Sequence, residues 1–236
     1  MKKVLNWLYD YPNLKVYQFE EGFKFSLDSV LLAEFAEIKK SDNKIIDLCT
    51  GNAVIPILLY QKYQKDIYGV EIQKEIAELA SDSVLYNKME KHITILNDNV
   101  LNLKNYFPGN NFDVVLANPP YFKYQNEQFI NDELVKGIAR HEIKINLKEL
   151  MAMANFLLNN KGKFYLVHIP ERIEEIILYA NEYGFHVKKM QFVTSKEGRK
   201  PILVLLCLVK KSNLGCIVMN EICIDGLDTY QNIFKK

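Results

Sequence analysis

Apolar positions along this chain switch repeatedly between helical and strand-like spacing, with short connections between. That alternation predicts an α/β fold with a mainly parallel sheet. Residues Phe25 to Ile38 carry helically spaced apolar side chains (Leu27, Val30, Leu31, Leu32, Phe35, Ala36), with Ser26 and Asp28 as capping chemistry. The runs Lys44 to Cys49, Asp66 to Val70, Ile93 to Leu96 and Asp113 to Ala117 read as four strands, and Ala53 to Tyr63 and Ile72 to Asn87 as intervening helices. A polar loop runs from Phe122 to about Arg140. It is followed by a helix from Asn146 to Leu158, a turn at Lys161-Gly162 and a strand from Lys163 to His168. The helix from Glu171 to Tyr183 stops at Gly184, a left-handed cap. Strands Phe185 to Thr194 and Ile202 to Val209 are joined closely enough for an antiparallel hairpin. Beyond Lys211 the pattern fades to a short strand and a turn, and no repeat or low-complexity stretch appears.

Composition narrows this picture. With 236 residues, 49% hydrophobic and 25% charged, the chain fills one core and is too short for two generous domains. The expectation is a single domain over 1–236, with 1–40 as an N-terminal extension. No run of 18 apolar residues and no cleavable leader pattern is present, so a cytoplasmic protein that does not enter the membrane is expected. Cys49, Cys207, Cys216 and Cys223 form no Cys-x-x-Cys pair and are read as reduced thiols, with neither disulfide nor metal indicated. Lysine outnumbers arginine 27 to 3, which reflects genome composition before function. The net charge is +1, so any nucleic-acid partner has to be recognised by local charge.

Polar residues gather where the apolar strands end, which is where open α/β sheets bind ligands. The first strand yields Asp47 and the turn Thr50-Gly51-Asn52, whose glycine lets backbone approach a ligand closely. Glu71 ends the second strand 24 residues later, about the interval at which a carboxylate meets ribose hydroxyls. Asp98 and Asn99 end the third, placed to read an adenine amine, and Asn118 ends the fourth. Cys49, Gly51 and Val54 stand where a Gly-x-Gly-x-x-Gly fingerprint would sit, leaving little room for a pyrophosphate. Asp47 repels an anion and suits the cationic amino-acid part of S-adenosylmethionine.

Asn118-Pro119-Pro120-Tyr121 is built to hold a planar amino group. Its acceptors are the Asn118 side-chain oxygen and the Pro119 carbonyl. Two prolines fix φ and remove backbone donors, so the carbonyls are presented stiffly. Tyr121, helped by Phe122 or Tyr124, offers a ring to stack on a flat substrate. A conjugated amine is a poor nucleophile, and two acceptors leave its lone pair less delocalised for in-line attack on a sulfonium methyl. A base would be swung out to reach such a site. No strong general base is assigned. His141 is read as capping the helix near Asn146, and His92, His168 and His186 are given no chemistry.

Asp47-Leu48-Cys49-Thr50-Gly51-Asn52-Ala53, Glu71, Asp98 and Asn118-Pro119-Pro120-Tyr121 resemble motifs one to four of class I S-adenosylmethionine-dependent methyltransferases acting on amino groups. With Gly22-Phe23-Lys24-Phe25-Ser26-Leu27-Asp28-Ser29 and Ala139-Arg140-His141-Glu142, the similarity extends to the bacterial tRNA1(Val) (adenine(37)-N6)-methyltransferase family, over about residues 15 to 210. The resemblance implies a Rossmann-like fold with a seven-stranded, mainly parallel sheet whose last strand is antiparallel. It also implies tRNA as partner and the adenine beside the anticodon as target. Asp47, Thr50, Gly51 and Asn52 would flank the methionine part of the cofactor. Glu71 would hold the ribose, Asp98 would meet the adenine and Asp28 would close the pocket, with Ile72, Asn99 and Asn118 also binding the cofactor. Cys49 and Ala53 depart from the glycines usual in that turn.

Lys188, Lys189, Lys196, Arg199 and Lys200, with Arg140 beside the polar loop, are the candidate RNA contacts. The loop Lys123 to Lys136 is read as either a lid or an ordinary surface loop. The same tetrapeptide suits N5-methylation of a release-factor glutamine, although about 40 residues before the first strand leave no room for the helical domain such enzymes carry. Amino methylation of a base in ribosomal RNA or DNA is the other alternative. No obligate protein partner is indicated.

Overall fold

Strands that are apolar on both faces form the centre of the protein, as seen in a computed structural model that describes residues 2–8, 11–21, 27–121 and 145–225. In chain order the first elements are β1 (Lys3–Leu8), β2 (Tyr11–Phe19), α1 (Leu27–Phe35), β3 (Ile45–Leu48), α2 (Val54–Tyr63), β4 (Ile67–Glu71), α3 (Lys74–Tyr86) and β5 (Ile93–Asn97). After a 3-10 turn at Val100–Asn105 come β6 (Phe112–Ala117), α4 (Leu147–Leu157), β7 (Leu158–His168) and a second 3-10 turn at Pro170–Arg172. The chain continues through α5 (Ile173–Glu182), β8 (Phe185–Thr194), β9 (Pro201–Lys210), β10 (Ile217–Val218) and β11 (Ile222–Cys223).

The main sheet runs β5-β4-β3-β6-β7-β9-β8. β3 to β7 are parallel, and β9 is antiparallel to both of its neighbours. All four residues of β3 are buried, as expected for a central parallel strand covered on both faces. One core cluster lies under α1 and α2 and includes Leu31, Ile45, Ile57 and Val114. The other lies under α4 and α5 and includes Ile46, Val115, Met151 and Phe164. α4 begins with a capping box, in which the Asn146 side chain accepts from Glu149 N–H and the Glu149 side chain accepts from Asn146 N–H.

Three features differ from the sequence expectation. β10 and β11 add to the seven strands, both parallel to β8. β7 begins at Leu158 rather than Lys163, because Leu158 pairs with Phe112 before the register jumps to Val114 and Lys163. The turn at Lys161-Gly162 is thus a bulge within the strand, with Lys161 at φ 66°. The third difference is the N-terminal extension, which forms an antiparallel hairpin. Leu8 and Val16 enter the core fully buried. Ser83 on α3 accepts the Tyr17 N–H at 2.9 Å, and Asn87 accepts the Lys15 N–H and donates to the Lys15 carbonyl. Phe19 packs on Ile76 and Leu79. The residues of the polar loop, including Phe122, Tyr124, Arg140 and His141, lie outside the described residues.

Candidate active site

Sheet register aligns the predicted polar groups along one edge. Leu48 pairs with both Val70 and Ala117, and Glu71 pairs with Asn97. Cys49 therefore follows β3 between Glu71 on one side and Asn118 on the other, and Asp98 stands one strand beyond Glu71. With neighbouring strands about 4.8 Å apart, Glu71 and Asn118 lie about 10 Å apart along this edge.

The turn after β3 is tightly constrained. Cys49, Gly51 and Ala53 all adopt positive φ (62°, 56° and 68°). Only glycine does so without steric cost, so the two non-glycine residues sit where the resemblance led one to expect glycine. Thr50 N–H donates to the Val70 carbonyl, and the Thr50 hydroxyl donates to Asp47 Oδ2 at 2.6 Å. Gly69 leaves room for that hydroxyl, since a Cβ there would lie 2.9 Å from Thr50 Oγ1. Asp47 is fully buried and its Oδ1 has no hydrogen-bond partner among the described residues. Burial pushes its carboxyl up to about 8, with the Thr50 hydrogen bond pulling against it and the Glu71 charge adding to it. A buried carboxylate oxygen of this kind is costly unless a cation approaches.

Glu71 is held by backbone. Its Oε2 accepts Gly51 N–H at 3.1 Å, and its Oε1 accepts Gln73 N–H at 2.9 Å and the Gln73 amide at 3.3 Å. This fixes a carboxylate, a group that accepts from hydroxyl donors, beside the turn after β3. Ile72 follows it, half-buried. A nucleoside with a cationic amino-acid tail fits this pair of carboxylate acceptors: two hydroxyls for Glu71 and an ammonium for Asp47.

Other predicted cofactor residues are turned to protein partners. The Asn52 amide donates to the Tyr17 carbonyl at 3.1 Å, which ties the N-terminal hairpin to the Gly51 turn. Asp98 accepts from the Tyr106 hydroxyl at 2.6 Å, the Asn102 amide at 2.7 Å and Asn99 N–H at 2.6 Å, and these bonds, Tyr106 foremost, hold its carboxyl below the usual range. Asn99 caps the 3-10 turn through Leu101 N–H.

At the end of β6, Pro119 is buried while Asn118, Pro120 and Tyr121 are half-buried. The Asn118 amide nitrogen donates to Ser29 Oγ at 3.0 Å, leaving Oδ1 toward Tyr121. The Tyr121 hydroxyl lies 2.6 Å from Asn118 Oδ1 and 2.6 Å from Asp28 Oδ2, joining the tetrapeptide to α1. Burial, then the Asp28 charge, pushes this phenol well above its ordinary value, so it remains a donor. Tyr121 is thus turned inward, not outward as an open stacking face.

Sequence reasoning missed two residues here. Ser29 was assigned no role, although it positions the Asn118 amide. His168, at the end of β7, places its ring 5.1 Å from that of Tyr121, tilted by 50°. Its Nδ1 accepts Ile169 N–H at 2.9 Å, and burial, with the Arg172 charge beside it, pushes it down to about 4. It is a neutral packing partner. The only available signal was that β7 is the strand next to β6.

The basic candidates divide between the turn after β8 and the middle of that strand. Because β8 runs parallel to β6, the exposed turn bearing Lys196, Arg199 and Lys200 lies at the Asn118 end. Lys188 and Lys189 lie further back along β8. Lys189 pairs with Glu37 at 2.6 Å, and Lys188 donates to the carbonyls of Asn213 and Leu214. Among the described residues no cluster of three or more His, Cys, Asp or Glu is placed to hold a metal, and no helix is long and apolar enough to cross a membrane.

The N-6 DNA methylase family model matches residues 28–183, from the first turn of α1 to the residue after α5. The chain is 26% identical over 224 residues to the tRNA1(Val) (adenine(37)-N6)-methyltransferase of Phocaeicola vulgatus, covering 93% of this chain and 90% of that one. It is 27% identical over 192 residues to the protein of the same name from Tolumonas auensis, covering 80% and 78%. Of solved structures, a predicted O-methyltransferase from Agrobacterium tumefaciens superposes with a TM-score of 0.66 at 18% identity, covering 83% of this chain and 86% of that one. TrmN from Thermus thermophilus superposes at 0.55 and 18%, covering 77% and 48%. These superpositions establish a methyltransferase fold.

Proposed function

Since the chain belongs to the N-6 DNA methylase family, we propose that it methylates the N6 amine of an adenine in tRNA, namely adenine 37 of tRNA1(Val). Its similarity to the tRNA1(Val) (adenine(37)-N6)-methyltransferases supports the choice of tRNA over DNA. The observation that carries the reading is the position of Asn118-Pro119-Pro120-Tyr121 on the same sheet edge as the Asp47 and Glu71 carboxylates, one strand from the turn between them.

S-adenosylmethionine supplies an electrophilic methyl on a sulfonium. Asp47 and the Thr50-Gly51-Asn52 turn would hold its amino-acid part, Glu71 and Ile72 its ribose, and Asp98 and Asn99 its adenine once Asp98 exchanges the Tyr106 hydroxyl for the base. The 1–40 segment would close this pocket, its described residues being tied to the turn by the Asn52–Tyr17 hydrogen bond and to the tetrapeptide by the Asp28–Tyr121 one. Asn118 Oδ1 and the Pro119 carbonyl accept from the target amine and orient its lone pair. Tyr121 leaves its inward position to stack on the flipped base. Positioning and fixed acceptors supply most of the rate. Lys196, Arg199 and Lys200 contact phosphates at the same end of the sheet.

The test is methyl transfer from labelled S-adenosylmethionine to tRNA, followed by nucleoside analysis. N6-methyladenosine is expected with the wild-type protein, falling at least 100-fold with Asn118→Ala. Label in protein alone would overturn the proposal.

A further inference from the structure

We propose that the outer face of the N-terminal hairpin, with Trp7 and Lys15 at its centre and Tyr86 beside it, is a second RNA contact that stacks an unpaired nucleobase of the tRNA and holds its phosphates, an inference that rests on the tRNA reading. Strand alternation builds the face. Leu14 and Val16 turn into the core, so Lys15 and Tyr17 turn outward, and the β1–β2 register sets Trp7 opposite Lys15 and Leu5 opposite Tyr17. The last turn of α3 adds Leu85 and Tyr86, both exposed.

Rings and a cation interleave on this face. Lys15 Nζ lies 3.7 Å from the centre of the Trp7 ring and 5.8 Å from that of Tyr86, and the Tyr86 ring meets Tyr17 edge-on at 6.0 Å. Trp7 is nonetheless 57% exposed and Tyr86 43%. Leaving that much aromatic surface in water forfeits the burial of two large side chains. The Lys15 ammonium holds the indole in place and leaves more than half of it uncovered, which is the arrangement of a ring on which a flat group stacks. Charge selects the occupant. Lys3 is paired with Asp82 and Lys2 with Glu20. Lys15 has no carboxylate partner among the described residues, and neither do Lys88 and Lys91, both exposed. Asn87 is bonded to the Lys15 backbone on both its N–H and its carbonyl, so Lys88 borders the same face. Glu90 is the only acid between Tyr86 and Lys91. Cations around open rings match a nucleotide, which carries a flat ring and an anion together.

Position ties this face to the site. Tyr17, whose carbonyl accepts from Asn52 in the turn after β3, is two residues, about 7 Å of strand, from Lys15. The hairpin rests on α3, which follows β4, whereas the turn bearing Lys196, Arg199 and Lys200 follows β8, and β6 lies between β4 and β8 in the sheet. An RNA that delivers its target base to Asn118 at the end of β6 is thus held on both flanks, by phosphate contacts at the β8 turn and by a stacked base at the hairpin.

Trp7 is the only tryptophan of the chain, so its emission reports on this face directly. The full-length protein is titrated with a tRNA1(Val) transcript while filter binding measures the affinity independently. Tryptophan emission falls by about half or more, with its midpoint at the filter-binding affinity, whereas heparin, a polyanion without bases, leaves it within about a tenth of its starting value. Trp7→Ala weakens tRNA binding by about fivefold or more, and Trp7→Phe, which keeps a ring, retains most of the affinity. Lys15→Gln lowers the slope of log affinity against log salt by about one. S-adenosylmethionine affinity by calorimetry stays at the wild-type value in all three. A tRNA complex with unchanged emission, wild-type tRNA binding by Trp7→Ala, or equal quenching by heparin overturns the proposal and leaves the tRNA reading standing. A loss of cofactor affinity as large as the loss of RNA affinity places the hairpin's effect on the cofactor and overturns the proposal as well, and an unchanged salt slope in Lys15→Gln removes the phosphate contact. A wild-type protein that binds no tRNA overturns the tRNA reading itself, and this contact with it.

Discussion

A carboxyl group buried as deeply as Asp47 reads out its own environment. Its folded value, about 8, lies above the ordinary carboxylate value, so folding favours the protonated form. The contribution to stability is full below the ordinary value of 3.8 and is lost as pH rises from there to the folded value of about 8. In the free protein burial thus favours the neutral form of Asp47. Binding an ammonium beside it expels the proton. Cofactor affinity should then rise by up to tenfold per pH unit from about pH 6 to 8, and fall above that as the cofactor's own amino group, near 8, deprotonates. Isothermal titration across this range checks it, and Asp47→Asn should flatten the acid side. A second residue-scale prediction concerns the turn. Cys49→Gly relieves a left-handed φ of 62° and should raise the melting temperature by a few degrees, corresponding to about 1 kcal/mol. A lower melting temperature would show that thiol packing outweighs backbone strain. At this scale the sequence named Asp47, Glu71 and Asn118 correctly as strand-end groups, because a polar residue at the end of an apolar run is a local signal. It did not reveal that Tyr121 points inward or that His168 backs it, because those depend on contacts between residues 93 and 47 positions apart.

The seven strands of the sheet and the helices between them were legible as elements from their periodicity. The N-terminal hairpin was not. Its alternation is blurred because Gln18 occupies a buried position and Trp7 an exposed one, with Lys15 Nζ 3.7 Å from the Trp7 ring centre. Its stability comes instead from α3, where Ser83 is buried, accepts Tyr17 N–H and donates to the Leu79 carbonyl. Ser83→Ala should leave Tyr17 N–H without its partner and cost about 1–3 kcal/mol by denaturant titration. Because Tyr17 also carries Asn52, cofactor affinity should fall together with stability. Unchanged affinity in a destabilised variant would detach the hairpin from the cofactor turn.

On the scale of the whole molecule, a net charge of +1 hides an uneven surface. The sequence grouped its late cations as one cluster, whereas Lys189 stands five residues, about 17 Å of strand, before the end of β8 at Thr194, and Lys196 lies beyond it in the turn. Only the turn cations share an end with Asn118. Reversing Lys196, Arg199 and Lys200 to glutamate should weaken tRNA binding by at least tenfold and reduce its salt dependence, leaving cofactor affinity intact. Replacing Lys188 and Lys189 should have a smaller effect on RNA, since both are engaged with protein groups.

The central claim is that this protein methylates one adenine amine in one tRNA. It is tested most directly by mapping methyl transfer on two unmodified transcripts of tRNA1(Val), one with adenine and one with guanine at position 37. Stoichiometric N6-methyladenosine in the first and none in the second is the predicted result. Equal labelling of both transcripts, or labelling of DNA or protein in preference to either, would contradict it.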